Sequence, residues 1–135
     1  MVKSTKIKSK VKSKKKKNKL KLSTVRIFLR AEFNNSIVTL TDIDGKVKAW
    51  SSSGKMGFKG AKKSTPFAAQ KTTEEILEKA KDMNASSAYI VIKGAGTGRD
   101  SFLRAIQSSS LQIQSITDAT GFPFGGVKPA KKRRV

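Results

Sequence analysis

The 135-residue chain contains no histidine and no cysteine. Those absences exclude a Ser-His-Asp or Cys-His nucleophile, a thiol redox pair and every Cys/His zinc site, leaving an enzyme only carboxylate-held metals or Lys/Ser chemistry. Acids are scarce as well: nine Asp and Glu stand against 30 Lys and Arg, a formal net charge of +21. No apolar run approaches the roughly 20 residues of a membrane-spanning helix, so no membrane partner is expected. What is present suffices for one modest core, since 36% of the residues are hydrophobic and the length suits a single small domain. A compact form carrying +21 repels itself, and the partner that relieves this is a polyanion, nucleic acid foremost.

The excess charge sits at the two ends. Residues 1–24 hold eleven Lys and no acid, residues 119–135 hold five basic residues and no acid, and residues 32–118 hold all nine acids with twelve bases. The chain therefore divides into a disordered or extended Lys-rich arm (1–24), a globular body (25–118) and an extended basic tail (119–135). Arms of this kind reach along or between nucleic-acid helices and gain affinity from counterion release. A solubilising tail would also be charged. A targeting presequence would be cationic too, but KSKKKKNK lacks the Arg content and apolar face of a transit peptide.

Alternation in VRIFLRAEF puts Val25, Ile27, Leu29, Ala31 and Phe33 on one face of a strand. Asn34-Asn35 predicts a two-residue hairpin turn into SIVTLTD, and Asp44-Gly45 a second turn into VKAWSS, where Trp50 is read as core. Thr65 and Pro66 supply the cap and first residue of a helix ending near Asn84. In it Ala69, Ile76, Leu77, Ala80 and Met83 face the sheet, while Glu74, Glu75, Glu78 and Lys81 point outward. SAYIVIKG reads as a central strand covered on both faces. GAGTGRD turns into a second helix reaching about Ser109, with Phe102, Leu103 and Ile106 inward, and LQIQSITD makes a fifth strand. This order predicts an α/β fold with a five-stranded mixed sheet and two main helices.

The most informative segment chemically is SGKMGFKGAKKS, residues 53–64, with four Lys, three Gly and no acid. Its glycines let the backbone approach phosphates, and Phe58 either stacks on a base or closes the edge of the core. Asn34 and Asn35 are first of all turn formers, with RNA contact as a second role. GAGTGR resembles a phosphate-binding glycine loop, yet neither GxGxxG nor a Walker motif is met. Gly94, Gly96 and Gly98 are accordingly read as permitting a tight strand-to-helix turn, with Arg99 placed for an RNA phosphate. DIDG lacks the later ligands of a calcium loop and is a turn. Asp100 and Asp118, without a third acid, make a poor metal site, and Glu74, Glu75, Glu78 and Asp82 form a solvated helix face. No catalytic residue, metal, cofactor or small-molecule substrate is expected.

Four strings, FNNSIVTLTD, WSSSGKMGFKGAKKSTPFAAQ, VIKGAGTGRDSFLRAI and KPAKKRRV, together resemble the small-subunit ribosomal protein eleven family over about residues 31–135. The resemblance implies a ribonuclease-H-like five-stranded mixed sheet and no catalytic role. It also implies binding to small-subunit ribosomal RNA in the platform, beside neighbouring ribosomal proteins and near the messenger RNA exit path, in support of subunit assembly and translation. Carried over by position, the family's RNA-contacting segments fall on Asn34 and Asn35, and on the basic loop through Ser53, Gly54, Lys55, Phe58, Lys59, Gly60, Lys62, Lys63 and Ser64. They continue with Arg99 and with Lys128, Lys131, Lys132, Arg133 and Arg134. The chain departs from the family pattern before the tail, where Gly125 stands in place of an Asn and Val127 in place of a Cys. A preference for Lys, Ile, Ser and Asn over Arg and Ala, as AT-rich coding would produce, points to an organelle-encoded ribosomal protein. Mitochondrion is placed ahead of plastid, with bacterial cytoplasm as the alternative. The competing readings are a nucleic-acid-binding protein outside the ribosome, which needs only the basic arms, and a nuclease, which needs carboxylates clustered at strand ends.

Overall fold

The structure, a computed structural model, describes residues 22–134. The Lys-rich arm therefore lies, but for residues 22–24, outside the described residues. Strands β1 (Thr24–Ala31), β2 (Ser36–Thr41) and β3 (Val47–Ser52) form an antiparallel meander. Helix α1 (Pro66–Asp82) carries the chain to β4 (Ser87–Lys93), parallel to β1, and α2 (Gly98–Gln107) carries it to β5 (Gln112–Asp118), parallel to β4. The spatial order is β3-β2-β1-β4-β5, so the sheet is mixed and the class α/β, as the element order predicts.

Right-handed crossovers that step in the same direction along a sheet place both helices on one face. Burial follows that rule. Val25, Ile27, Leu29 and Ala31 of β1, Val38 and Leu40 of β2, and Ala88, Ile90 and Ile92 of β4 are buried with Ile76 and Ala80 of α1 and Phe102 and Ile106 of α2. Among the described residues, the intervening strand positions have no helix over them. Strand β4 is internal, between β1 and β5, as expected, but the reading of it as covered on both faces is corrected: Tyr89 and Lys93 on its other side are exposed. Trp50, read as core, is on that same open side and is 53% exposed.

Local chemistry sets the element ends. Thr65 caps α1, its hydroxyl accepting from the Ala68 N–H at 3.3 Å, with Pro66 in the first turn where a missing N–H costs nothing. The helix stops where Asn84 takes a left-handed φ of 58° and the Ala85 N–H reaches the Ala80 carbonyl at 3.0 Å. Helix α2 ends at Gln107, short of Ser109. The β1–β2 connection is longer than the two-residue turn predicted: Ala31 pairs with Ser36, and the Glu32 N–H bonds the Asn35 carbonyl at 2.9 Å. Neither Asn34 nor Asn35 adopts a positive φ. Strand β1 thus stops two residues early, leaving Phe33 76% exposed.

Candidate nucleic-acid interface

Strands β1, β3, β4 and β5 run in one direction and only β2 opposes them. Four C-terminal strand ends, together with the β1–β2 turn, therefore open on one edge of the sheet. From that edge leave the Asn34-Asn35 turn, the basic loop after β3, the glycine turn after β4 and the tail after β5. Parallel pairing brings together the segments that the sequence singled out separately. The chain enters the body at the opposite end, where the Leu22 N–H bonds the Met83 carbonyl at 3.0 Å.

Hydrogen bonds stitch this edge. The Ser53 N–H donates to the Ser36 carbonyl at 3.0 Å and the Gly96 N–H to the Ala31 carbonyl at 3.0 Å. The Thr97 hydroxyl reaches the Ser64 carbonyl at 2.7 Å, tying the glycine turn to the basic loop. The Gly94 N–H donates to the Thr120 hydroxyl at 3.1 Å, tying that turn to the start of the tail. A Cβ on Gly96 would lie 2.6 Å from the Glu32 carbonyl oxygen, and one on Gly98 would lie 2.7 Å from the Ala69 methyl. The glycines are needed for close packing of the turn on β1 and α1, which bears out the tight-turn reading.

The predicted site residues divide by what they touch. Exposed are Asn34, Gly54, Lys55, Lys59, Gly60 and Lys62, and along the tail Lys128, Lys131, Lys132, Arg133 and Arg134; Asn35, Lys63, Ser64 and Phe58 are half-buried. Ser53 departs from the expectation: it is fully buried, its hydroxyl 3.5 Å from that of Thr72, and anchors the loop to α1. Lys55 folds back on the body, its ammonium 3.1 Å from the Trp50 carbonyl, 3.3 Å from Glu75 and 5.1 Å from the Trp50 ring centre. Phe58 meets Phe67 edge to face at 6.0 Å. Arg99 donates to the Gly94 carbonyl at 2.7 Å and pairs with Asp118, which also accepts from the Thr120 N–H at 3.0 Å. Bonds from Arg99 and Thr120 hold the Asp118 carboxyl well below the usual carboxylate range. Arg99 thus positions the root of the tail.

Sequence reasoning found Phe58 on this edge but missed its other aromatic residues. Phe33 and Phe67 are exposed beside the basic segments, and Phe122 and Phe124 lie on the tail with ring centres 4.8 Å apart. For Phe122 and Phe124 the available signal is an aromatic residue in a tail with no pattern able to bury it; Phe33 continues the alternation of β1 and gives none. Among the described residues no group of three or more Asp or Glu is placed to hold a metal ion, and no helix is long and apolar enough to cross a membrane.

Glu75 also differs from expectation. It does not point into solvent but bridges α1 to the root of the basic loop, accepting from Ser51, Lys79 and Lys55. Partial burial raises the affinity of its carboxyl for a proton, but the bonds from Lys79, Ser51 and Lys55 outweigh that and hold its pKa at about 2, below its ordinary 4.5. A carboxyl lowered on folding stabilises the fold above its unfolded pKa and loses that contribution as pH falls through the folded one. Stability of the wild type should therefore fall between about pH 4.5 and about pH 2, and Glu75→Gln should flatten the acid limb in chemical denaturation across that window. Superimposable acid limbs would show that the bridge contributes nothing.

Residues 25–134 match the family described as Ribosomal protein S11. The chain is 50% identical over 109 residues to small ribosomal subunit protein uS11 of Borreliella burgdorferi (strain ZS7), covering 81% of this chain and 84% of that protein. Identity and coverage are the same with uS11 of Borreliella afzelii (strain PKo) and with uS11c of Cyanidium caldarium. A family match across residues 25–134, with half identity over 81% of the chain, establishes that the chain belongs to the ribosomal protein S11 family of the small ribosomal subunit.

Proposed function

We propose that this chain is a structural, non-catalytic constituent of the small ribosomal subunit that binds its ribosomal RNA in the platform. There it lies beside neighbouring ribosomal proteins and near the path of messenger RNA, supporting assembly and translation. The carrying observation is the single sheet edge from which the Asn34-Asn35 turn, the basic loop, the glycine turn and the tail all leave. Exposed Lys59 and Lys62, with Gly54 and Gly60 beside them, offer cations and close backbone approach to phosphates. Lys63, Ser64, Phe58, Asn34 and Asn35 extend that surface, Lys55 and Arg99 brace it, and Lys128 with residues 131–134 carries it away from the body. The division into arm (1–24), body (25–118) and tail (119–135) belongs to this proposal: one arm leaves each end of the body, so the protein spans RNA elements on opposite sides.

For the compartment, the bacterial and plastid relatives give the mitochondrion no support. They fit a bacterial-type ribosome, with an organelle gene as the source of the preference for Lys, Ile, Ser and Asn. Sedimentation of fractionated lysate tests both points. The protein should travel with the small subunit through a sucrose gradient at moderate and at high salt, in the fraction that names its compartment. Recovery at the top of the gradient would instead favour a nucleic-acid-binding protein outside the ribosome.

A further inference from the structure

The sheet face that carries no helix among the described residues is not used by the edge site. Pairing register arranges its side chains in rows. Trp50, Thr39, Phe28, Val91 and Thr117 lie side by side across all five strands. Arg26 and Tyr89 are neighbours in the row on one side, and Arg30 and Lys93 in the row on the other. Trp50 and Tyr89 are exposed, and Phe28 and Val91 half-buried. Among the described residues no other element packs on this face, so it is an open one.

Charge and texture select the occupant. The outward strand positions carry Arg26, Arg30 and Lys93 and no acid; among the described residues only Arg30 of these has an ion-pair partner, Glu32. The eleven Lys of residues 1–24 are repelled from such a face by like charge. A docked helix requires contiguous apolar contact, which Thr39 and Thr117 interrupt. Flat rings separated by hydroxyls and flanked by cations suit unpaired nucleotides, whose bases stack while their phosphates find Arg and Lys. Arg30 and Lys93 are near the strand ends at the basic edge, so an RNA strand held there runs directly onto this face.

We propose that the open sheet face binds an unpaired stretch of RNA, with Trp50, Phe28 and Tyr89 stacking on bases and Arg26 and Lys93 at phosphates. This rests on the RNA-binding reading of the edge and extends it to a second surface. Trp50 is the only tryptophan in the chain, so its fluorescence reports on this face and on Lys55, whose ammonium lies 5.1 Å from its ring centre, and the comparison of single strand with duplex separates the two. Titrating the full chain with a short mixed-sequence single-stranded RNA should quench Trp50, and the duplex of the same sequence should leave its emission nearly unchanged. Trp50→Ala and Tyr89→Ala should each weaken single-strand binding, read by anisotropy of labelled RNA, by about 5- to 100-fold. Their salt slopes should match the wild type, because no phosphate contact is removed. Equal quenching by both RNAs, or wild-type affinity in both variants, would overturn the proposal. So would quenching by a small-subunit protein and not by RNA. If RNA binds while Trp50 stays silent, the face proposal falls and the edge reading stands; if the chain binds no RNA, both fall.

Discussion

Replacing Lys131, Lys132, Arg133 and Arg134 together by Ala should weaken binding to small-subunit ribosomal RNA and lower its salt slope by about three units. Each phosphate neutralised contributes about 0.9 to that slope on duplex-like nucleic acid and about 0.7 on single strands, through the counterions it releases. The four side chains are exposed and have no ion pair among the described residues, so their charge is available to the ligand. The same isolation makes the substitution harmless to the body: none of them touches the core, and the melting temperature should stay that of the wild type. Loss of binding with an unchanged slope would mean that the tail acts by shape and not by touching phosphate. A lowered melting temperature would mean that it packs on the body. The root of the tail is a different matter, because Arg99, Asp118 and Thr120 fix the direction in which these charges leave the edge.

Much of the fold was legible because periodicity is written residue by residue. The alternation of Val25, Ile27, Leu29 and Ala31 and the cap at Thr65 survive in the structure unchanged. Which face the helices cover was not legible, because it depends on two crossovers stepping in the same direction, a property of the whole chain. That is why Trp50 and the outward side of β4 were read as covered, and why an aromatic row with cations on either side went unseen. The candidate site shows the same division. Its segments stood out by composition, but their convergence required the parallel direction of β1, β3, β4 and β5. Composition also could not separate a basic residue that faces outward, such as Lys59, from one recruited inward, such as Lys55, whose partner Glu75 is twenty residues further along the chain.

A single methyl group at Gly94 should be the most damaging small change in the edge, and the same methyl at Gly45 is its control. Both glycines hold a positive φ, +97° and +84° respectively, so Ala at either meets the left-handed penalty of about 1 to 2 kcal/mol. At Gly45, in the β2–β3 turn, a Cβ would find nothing within 4 Å. At Gly94 it would lie 2.1 Å from the Ala31 carbonyl oxygen, a backbone atom held by the Gly96 N–H. Relieving that overlap means parting the end of β1 from the turn after β4, at a further cost of about 1 to 3 kcal/mol or more. Gly94→Ala should therefore lower stability by roughly 2 to 5 kcal/mol and the melting temperature by roughly 10 to 30 °C, against a drop of under about 15 °C for Gly45→Ala. The two also differ in function. Gly94 accepts from Arg99 and donates to Thr120, so its displacement misdirects the tail, and RNA affinity measured well below the melting point should fall. Gly45 lies at the far end of the sheet, and RNA affinity there should be unchanged. Equal melting temperatures for the two variants would show that β1 and the glycine turn do not approach as closely as the edge requires.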